Sequence, residues 1–196
     1  MPAGTAFSTT IDDTSYQFVT IADVTSTNNG GVVSFDSTKI YEGSFITTKY
    51  LVDTSDVEQR FLLGDNRADT STLTVKVQNS ASDTSVTTYT KATDITQLSS
   101  TSTVYYLQET DSGLFEVYFG DGVVSKALTD GNIVVLSYVV TNKSEANGAS
   151  SFSNSAAIDG VTSITTTLVA AASGGAESES LTSIKLNAPL DYSSQG

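Results

Sequence analysis

The chain has no cysteine, no histidine and no tryptophan, and only two prolines in 196 residues. Without cysteine it has neither a disulfide framework nor a thiolate nucleophile. Without histidine there is no imidazole base, no Ser–His pair and no His-ligated zinc. Basic residues are scarce as well: 9 Lys and Arg stand against 22 Asp and Glu, for a formal net charge of −13. They are scattered, and a phosphate backbone or an anionic membrane needs them clustered. Nucleic acid and membrane surfaces are therefore not expected partners, and the acidity reads as a soluble, self-repelling surface. No apolar run approaches the roughly 20 residues of a membrane-spanning helix. The opening Met1-Pro2-Ala3-Gly4-Thr5 lacks the basic and apolar regions of a signal peptide.

What remains favours strands. Ser and Thr make up about 30% of the chain, and Val, Ile, Tyr and Phe supply much of its 38% hydrophobic content. Such residues suit a pleated, half-buried surface. Strand signals recur every 10 to 15 residues with polar turns between them, the pattern of a sandwich or small barrel. They fall at 16–21, where Tyr16, Phe18 and Thr20 share a face, and at 40–52, alternating through Tyr41, Phe45, Thr47 and Leu51. Others fall at 60–63, at Leu73-x-Val75-x-Val77, and at 86–89, 104–107 and 114–119. The most apolar, Ile133 to Val140, is expected to be central. Ile164 to Ala172 reads as one more long strand. The Ser/Thr-rich tract from 80 to 103 reads as exposed loops and edge strands, with disorder as the alternative.

Turn chemistry is expected at Asp12-Asp13, 25–31, Asn147-Gly148 and Asp159-Gly160. One short helix is expected over 177–186, with early Glu177 and Glu179, late Lys185, and a stop at Asn187-Ala188-Pro189. Residues 190–196 read as a frayed tail. No internal repeat is visible.

Three groups were weighed as chemical sites. Gly120, Asp121 and Gly122 lie between apolar runs, where Asp-Gly signals a type I′ hairpin turn needing positive φ at both central residues. The rival is a calcium loop using Glu116, Asp121 and Asp130, but the alternating ligands and terminal Glu of an EF-hand are missing. Asp12, Asp13 and Asp23 flank one strand without a spacing that selects a glycosidase acid pair over turn formers. Gly174-Gly175 could offer free N–H groups to an anion, but no phosphate-binding motif surrounds it and acids follow closely. No catalytic, metal or cofactor-binding residue is therefore assigned, and Gly120, Asp121 and Gly122 are taken as a structural turn.

The run from Leu114 to Thr141 carries a further signal. Phe119-Gly120-Asp121-Gly122 is followed by Gly131, Val134, Tyr138 and then Asn147. Pro2-Ala3-Gly4-Thr5 precedes it, and Gly174-Gly175-Ala176-Glu177-Ser178-Glu179-Ser180-Leu181 with Ala188-Pro189 follows. These landmarks, in this order, resemble the baseplate J-like family, wedge proteins of contractile phage tails and related injection machines. The chain departs from the family at Ser125 and at Lys143-Ser144, where Gly is frequent, and at Leu136, where Val is usual.

The resemblance implies a middle region of a longer, non-enzymatic structural protein located in the virion tail baseplate and assembled in the host cytoplasm. It implies partnership with copies of itself and with other wedge proteins, in a ring around the tail tube. It also implies that the two ends, 1–36 and 148–196, form one base domain, with 37–147 an inserted β domain. The expected fold is mainly β: a sandwich- or barrel-like insert on a small β base with one short helix. An adhesive or receptor-binding β module is the alternative; a carbohydrate-active enzyme is the weakest, for want of His, Cys and a placed acid pair.

Overall fold

A computed structural model describes residues 1–154, 156–177, 183, 185 and 186. It is mainly β, with 37% of the described residues in strands and 3% in helix. The chain opens with β1 (Ala6–Ile11) and β2 (Thr14–Val19), then a small ribbon of β3 (Asn28–Asn29) and β4 (Val32–Val33). Next come β5 (Tyr41–Glu42), β6 (Ser44–Leu51), β7 (Phe61–Leu62), β8 (Ala68–Gln78) and β9 (Val86–Lys91). A 3-10 turn at Ile95–Gln97 precedes β10 (Val104–Glu109), β11 (Phe115–Tyr118) and β12 (Ile133–Val140).

Seven strands form one sheet in the order β6-β12-β8-β9-β10-β11-β7, curled into a nearly closed barrel. As its composition suggests, β12 is interior: it pairs along its length with β6 on one side and β8 on the other. Val134, Leu136 and Tyr138 point inward and are almost wholly buried with Val75, Val77, Phe61, Leu63 and Val117. The curl brings the sheet's two ends together. The Tyr50 hydroxyl donates to the Leu62 carbonyl at 2.6 Å, and the Tyr50 and Phe61 rings meet edge to face at 5.7 Å. The buried Tyr138 hydroxyl accepts from the Gly64 N–H at 3.0 Å, which supplies the partner a buried phenol needs. Between Ser137 and Val139 the β8 register slips, and the buried Thr72 Oγ1 accepts the Val139 N–H at 3.0 Å, leaving the bulge satisfied.

A second sheet, β1-β2-β5, has a smaller core of Phe18, Ala146 and Ala149, flanked by Phe7, Ile40, Phe152 and Ala172. Asp12 and Asp13 have φ of 45° and 65°, so the β1–β2 hairpin turns on two left-handed residues. The same arrangement recurs at Gly30-Gly31 between β3 and β4, and at Asp159-Gly160 between the bridged Ile158 and Val161. The C-terminal half returns to this sheet: Ser8 and Ser153 exchange backbone hydrogen bonds of 2.8 and 2.9 Å.

Several expectations need correction. The alternating set Tyr41, Phe45, Thr47 and Leu51 is split between two sheets by Gly43. Within β6 it marks the outer face, while Thr48 and Tyr50 stand opposite the buried Leu136 and Val134. The tract 80–103 is no edge, since β9 lies between β8 and β10 and buries Tyr89. Residues 164–172 form no strand: among the described residues their backbone hydrogen bonds are those of Ile164 with Thr162 and of Ala172 with Gly148 and Ala149. Of the expected helix, Ser183, Lys185 and Leu186 are helical and Glu177 is not; 178–182, 184 and the stop at 187–189 lie outside the described residues, as does the tail at 190–196.

Candidate interaction surfaces

The two sheets share one segment of backbone. β5 pairs with β2, β6 pairs with β12, and Gly43 joins them at φ +122°. A Cβ at Gly43 would overlap the Val140 carbonyl and come within 2.8 Å of Val139 Cγ1, so glycine is needed for conformation and space alike. The Glu42 carboxylate fixes the other strand at the same point. It accepts from Thr141 Oγ1 and the Asn142 N–H, both at 2.7 Å, and from Asn142 Nδ2 at 2.8 Å, where the chain leaves β12. Tyr16 lies nearby, and desolvation first, then the charges of Glu145 and Glu42, raise its pKa.

The C-terminal segment is clasped to that same exit. Asn147 receives the Gly175 N–H at 3.1 Å and donates to the Gly175 carbonyl at 2.8 Å. Lys143 Nζ lies 3.0 Å from Glu177, whose pKa is lowered chiefly by that contact. A Cβ on Gly175 would overlap the Lys143 carbonyl, so the second glycine of the Gly174-Gly175 pair is needed for close approach. Its N–H is already committed to Asn147. Lys143, where the family often has Gly, holds a left-handed φ of 63°.

The loop from Phe119 to Asn132 presents the residues singled out as a turn. Phe119 enters the barrel core, edge to face with Phe61 at 5.6 Å and with Tyr89 at 5.2 Å. Gly122, at φ +90°, donates to the Ser125 carbonyl at 2.9 Å, and Asp121 Oδ1 accepts the Val123 N–H at 3.0 Å. The expected type I′ pair does not form here, because Asp121 is not at positive φ; its carboxylate makes an Asx turn instead. Gly120 packs so tightly on the fully buried Ser125 that a Cβ would strike Ser125 Oγ. The loop lifts Val123 and Val124 into solvent, 73% and 41% exposed.

The carboxylates weighed as a calcium loop point to different partners. Glu116 faces Arg60 at 3.7 Å, Asp121 caps Val123, and Asp130 accepts the Thr54 N–H at 3.1 Å. Asp12 and Asp13 form the hairpin turn, whereas Asp23 accepts the Ala3 N–H at 2.8 Å. Among the described residues no three His, Cys, Asp or Glu converge for a metal. Two shallow depressions flank residues 150–153, lined mostly by Ser and Thr around Phe152.

The remaining distinctive surface is the outer face of the barrel. Register places Leu51, Ile133, Gln78 and Val86 in one row across β6, β12, β8 and β9, with Leu51 65% and Val86 54% exposed. The next row on that face is Lys49, Val135, Lys76 and Thr88. No single residue in these rows was legible as functional from sequence, since only the strand register brings them together.

Comparison with known proteins agrees with this architecture. The chain is 27% identical over 182 residues to the baseplate wedge protein gp6 of Enterobacteria phage T4, an alignment covering 84% of the chain and 26% of that relative. The chain thus spans about a quarter of the length of the curated relative it matches. A family profile described as the third domain of bacteriophage baseplate wedge protein gp6 matches residues 45–149, from the start of β6 to beyond β12. On that match, which covers more than half of its residues, the chain belongs to the gp6 third-domain family of bacteriophage baseplate wedge proteins.

Proposed function

We propose that this chain is a structural, non-catalytic part of a contractile-tail baseplate wedge, located in the virion tail and working through contacts with other wedge proteins and with copies of itself around the tail tube. The observation that carries the reading is the family match over the whole barrel. The build of the molecule is in keeping with it. The described surface offers shallow depressions, an outer barrel face of mixed apolar and Lys rows, and the raised Val123-Val124 loop, features suited to protein contact.

In this reading the two ends, bounded by sequence at 1–36 and 148–196, make up a base and 37–147 an inserted barrel, and the chain crosses between them near Gly43 and Asn142, so that Ile40, β5 and Ala146 side with the base. The contacts of Phe18 with Phe152, of Ser8 with Ser153 and of Asn154 with Ala6 support a base built from both ends. Gly120, Asp121 and Gly122 serve as a structural turn, and the −13 charge removes the electrostatic route to nucleic acid or anionic membrane. Pull-down from a lysate containing the other wedge proteins tests the proposal. Recovery of at least one wedge protein is expected. Recovery of none, with saturable binding on a glycan array, would replace this reading with an adhesin.

A further inference from the structure

The strand signal at 164–172 is strong in sequence and unmet in structure. Residues 162–168, Thr-Ser-Ile-Thr-Thr-Thr-Leu, run without turn, bend or ladder before a bend at Val169-Ala170. From Thr165 to Ala171 no backbone N–H or C=O has a hydrogen-bond partner among the described residues. Leu168 is 46% and Val169 76% exposed. A run of β-branched residues with an open backbone edge is a template for strand addition.

Two features of the segment select its partner. The first is charge. Between Glu145 and Glu177 the only charged residue is Asp159, whereas the chain as a whole carries −13. Two such chains repel over most of their surface, and this neutral tract is where they can approach without opposing like charges. The second is symmetry. Antiparallel pairing about Thr166 sets Thr166 against itself, Thr165 against Thr167, and Ile164 against Leu168. From Ile164 to Leu168 every position thus meets a residue of its own class, and Thr–Thr and aliphatic cross-strand pairs are favourable.

We propose that residues 164–168 form an isologous antiparallel strand pair with the same segment of a second copy. This inference deepens the structural reading above by naming a self-contact, and it rests on that reading only for its place in the particle. So short a pairing buries less than about 1,000 Å², the range of weak association. The dimer is therefore weak alone and reinforced when other contacts hold two copies together. Because the contact is uncharged while the rest of each chain is acidic, added salt should strengthen it.

The absence of native cysteine makes the test direct. In Thr166→Cys the two sulfurs face each other across the symmetry axis, and mild oxidation should yield a disulfide dimer. In Thr165→Cys the like residues sit two positions out of register, at least about 7–8 Å apart, and should cross-link at least tenfold more slowly. Sedimentation of a variant carrying only Thr166→Pro should show at least a tenfold loss of self-association, with an unchanged circular dichroism spectrum. Equal cross-linking at 165 and 166, a strictly monomeric chain across the concentration range, or a dimer indifferent to Thr166→Pro would each overturn the proposal. These measurements contain no other wedge protein. Failure of self-pairing with successful wedge capture would sink only this inference, and the reverse result would sink only the wedge assignment.

Discussion

The barrel and the smaller sheet are held by different means. In the barrel, Val75, Leu63, Val117, Val134 and Leu136 are fully buried, and backbone ladders join seven neighbouring strands into one sheet. In the smaller sheet the buried apolar set shrinks to Phe18, Val19, Ala146 and Ala149. There hydroxyls and amides act as fasteners: Thr20 reaches Pro2, Ser8 reaches Ser153, Asn154 reaches Ala6 and Asn147 reaches Gly175. Apolar burial grows with area, about 25 cal/mol per Å², whereas each hydrogen bond contributes about 1 kcal/mol net. The barrel should therefore be the more stable region, and the smaller sheet should depend on the junction that ties it on.

The largest expected effect tests that dependence. Gly43→Val places a Cβ on the Val140 carbonyl at a φ that side chains rarely adopt, and should cost more than about 3 kcal/mol. Chemical denaturation followed by tyrosine fluorescence would show it. Loss of the smaller sheet alone, with the barrel transition unmoved, would mean the two regions are less coupled than the shared strand implies.

A smaller effect separates the regions. Leu136→Ala removes a fully buried side chain from the barrel core and should cost about 2–5 kcal/mol. Phe152→Ala truncates a half-buried ring against Phe18, at roughly half that cost. Hydrogen exchange should show the first raising exchange throughout β6, β8 and β12, and the second confining its effect to β1, β2 and the 148–153 segment. Equal effects in both places would erase the distinction.

Asp121→Ala removes one Asx cap in the barrel loop and should cost about 0.5–1 kcal/mol without altering any metal response. A calcium-dependent rise in the melting temperature of the wild type, absent from the variant, would turn the turn into a metal loop.

The least effect is that of pH. Hydrogen bonds lower the carboxyl pKa values of Asp53 (chiefly from the Ser55 side chain), Asp65 (from Arg67), Asp83 (from Asn79) and Asp94 (from Thr96). A depressed folded-state pKa stabilises above the unfolded value, here 3.8, and that contribution is lost as pH falls through the folded value. All four lie in barrel loops. Acid below about pH 4 should therefore loosen those loops slightly, and an acid titration followed by amide exchange would detect it. Stability rising as pH falls would contradict the assignment.

How much of this was legible beforehand depends on where the information lies. Leu73, Val75 and Val77 alternate cleanly, and Ile133 to Val140 is apolar but for Ser137, so an inward face and a central strand followed directly from the sequence. The split at Gly43 did not, because the reason for glycine there is the Val140 carbonyl, nearly a hundred residues away. Residues 162–168 have the composition of a strand, but a strand also needs a partner, which no local pattern can supply. Asp121-Gly122 carried the stronger hairpin signal, yet the left-handed aspartates among the described residues are Asp12, Asp13 and Asp159. At 121 the chain must bring Phe119 into the core and Ser125 against Gly120, and a two-residue reversal would prevent both. Gly120 and Gly175 were visible as motif letters; their close packing emerged only in three dimensions.

The unbroken course of β5 and β6 through Gly43 also sets how the molecule would carry force. A pull entering the smaller sheet along β5 passes to the barrel through covalent backbone and meets the β6–β12 ladder lengthwise. The eight residue pairs of that ladder are then loaded in parallel and must slip together. A pull that lifts β1 from β2 meets their six pairs one after another, as in opening a zipper. The protein is thus stiff along one axis and compliant across another.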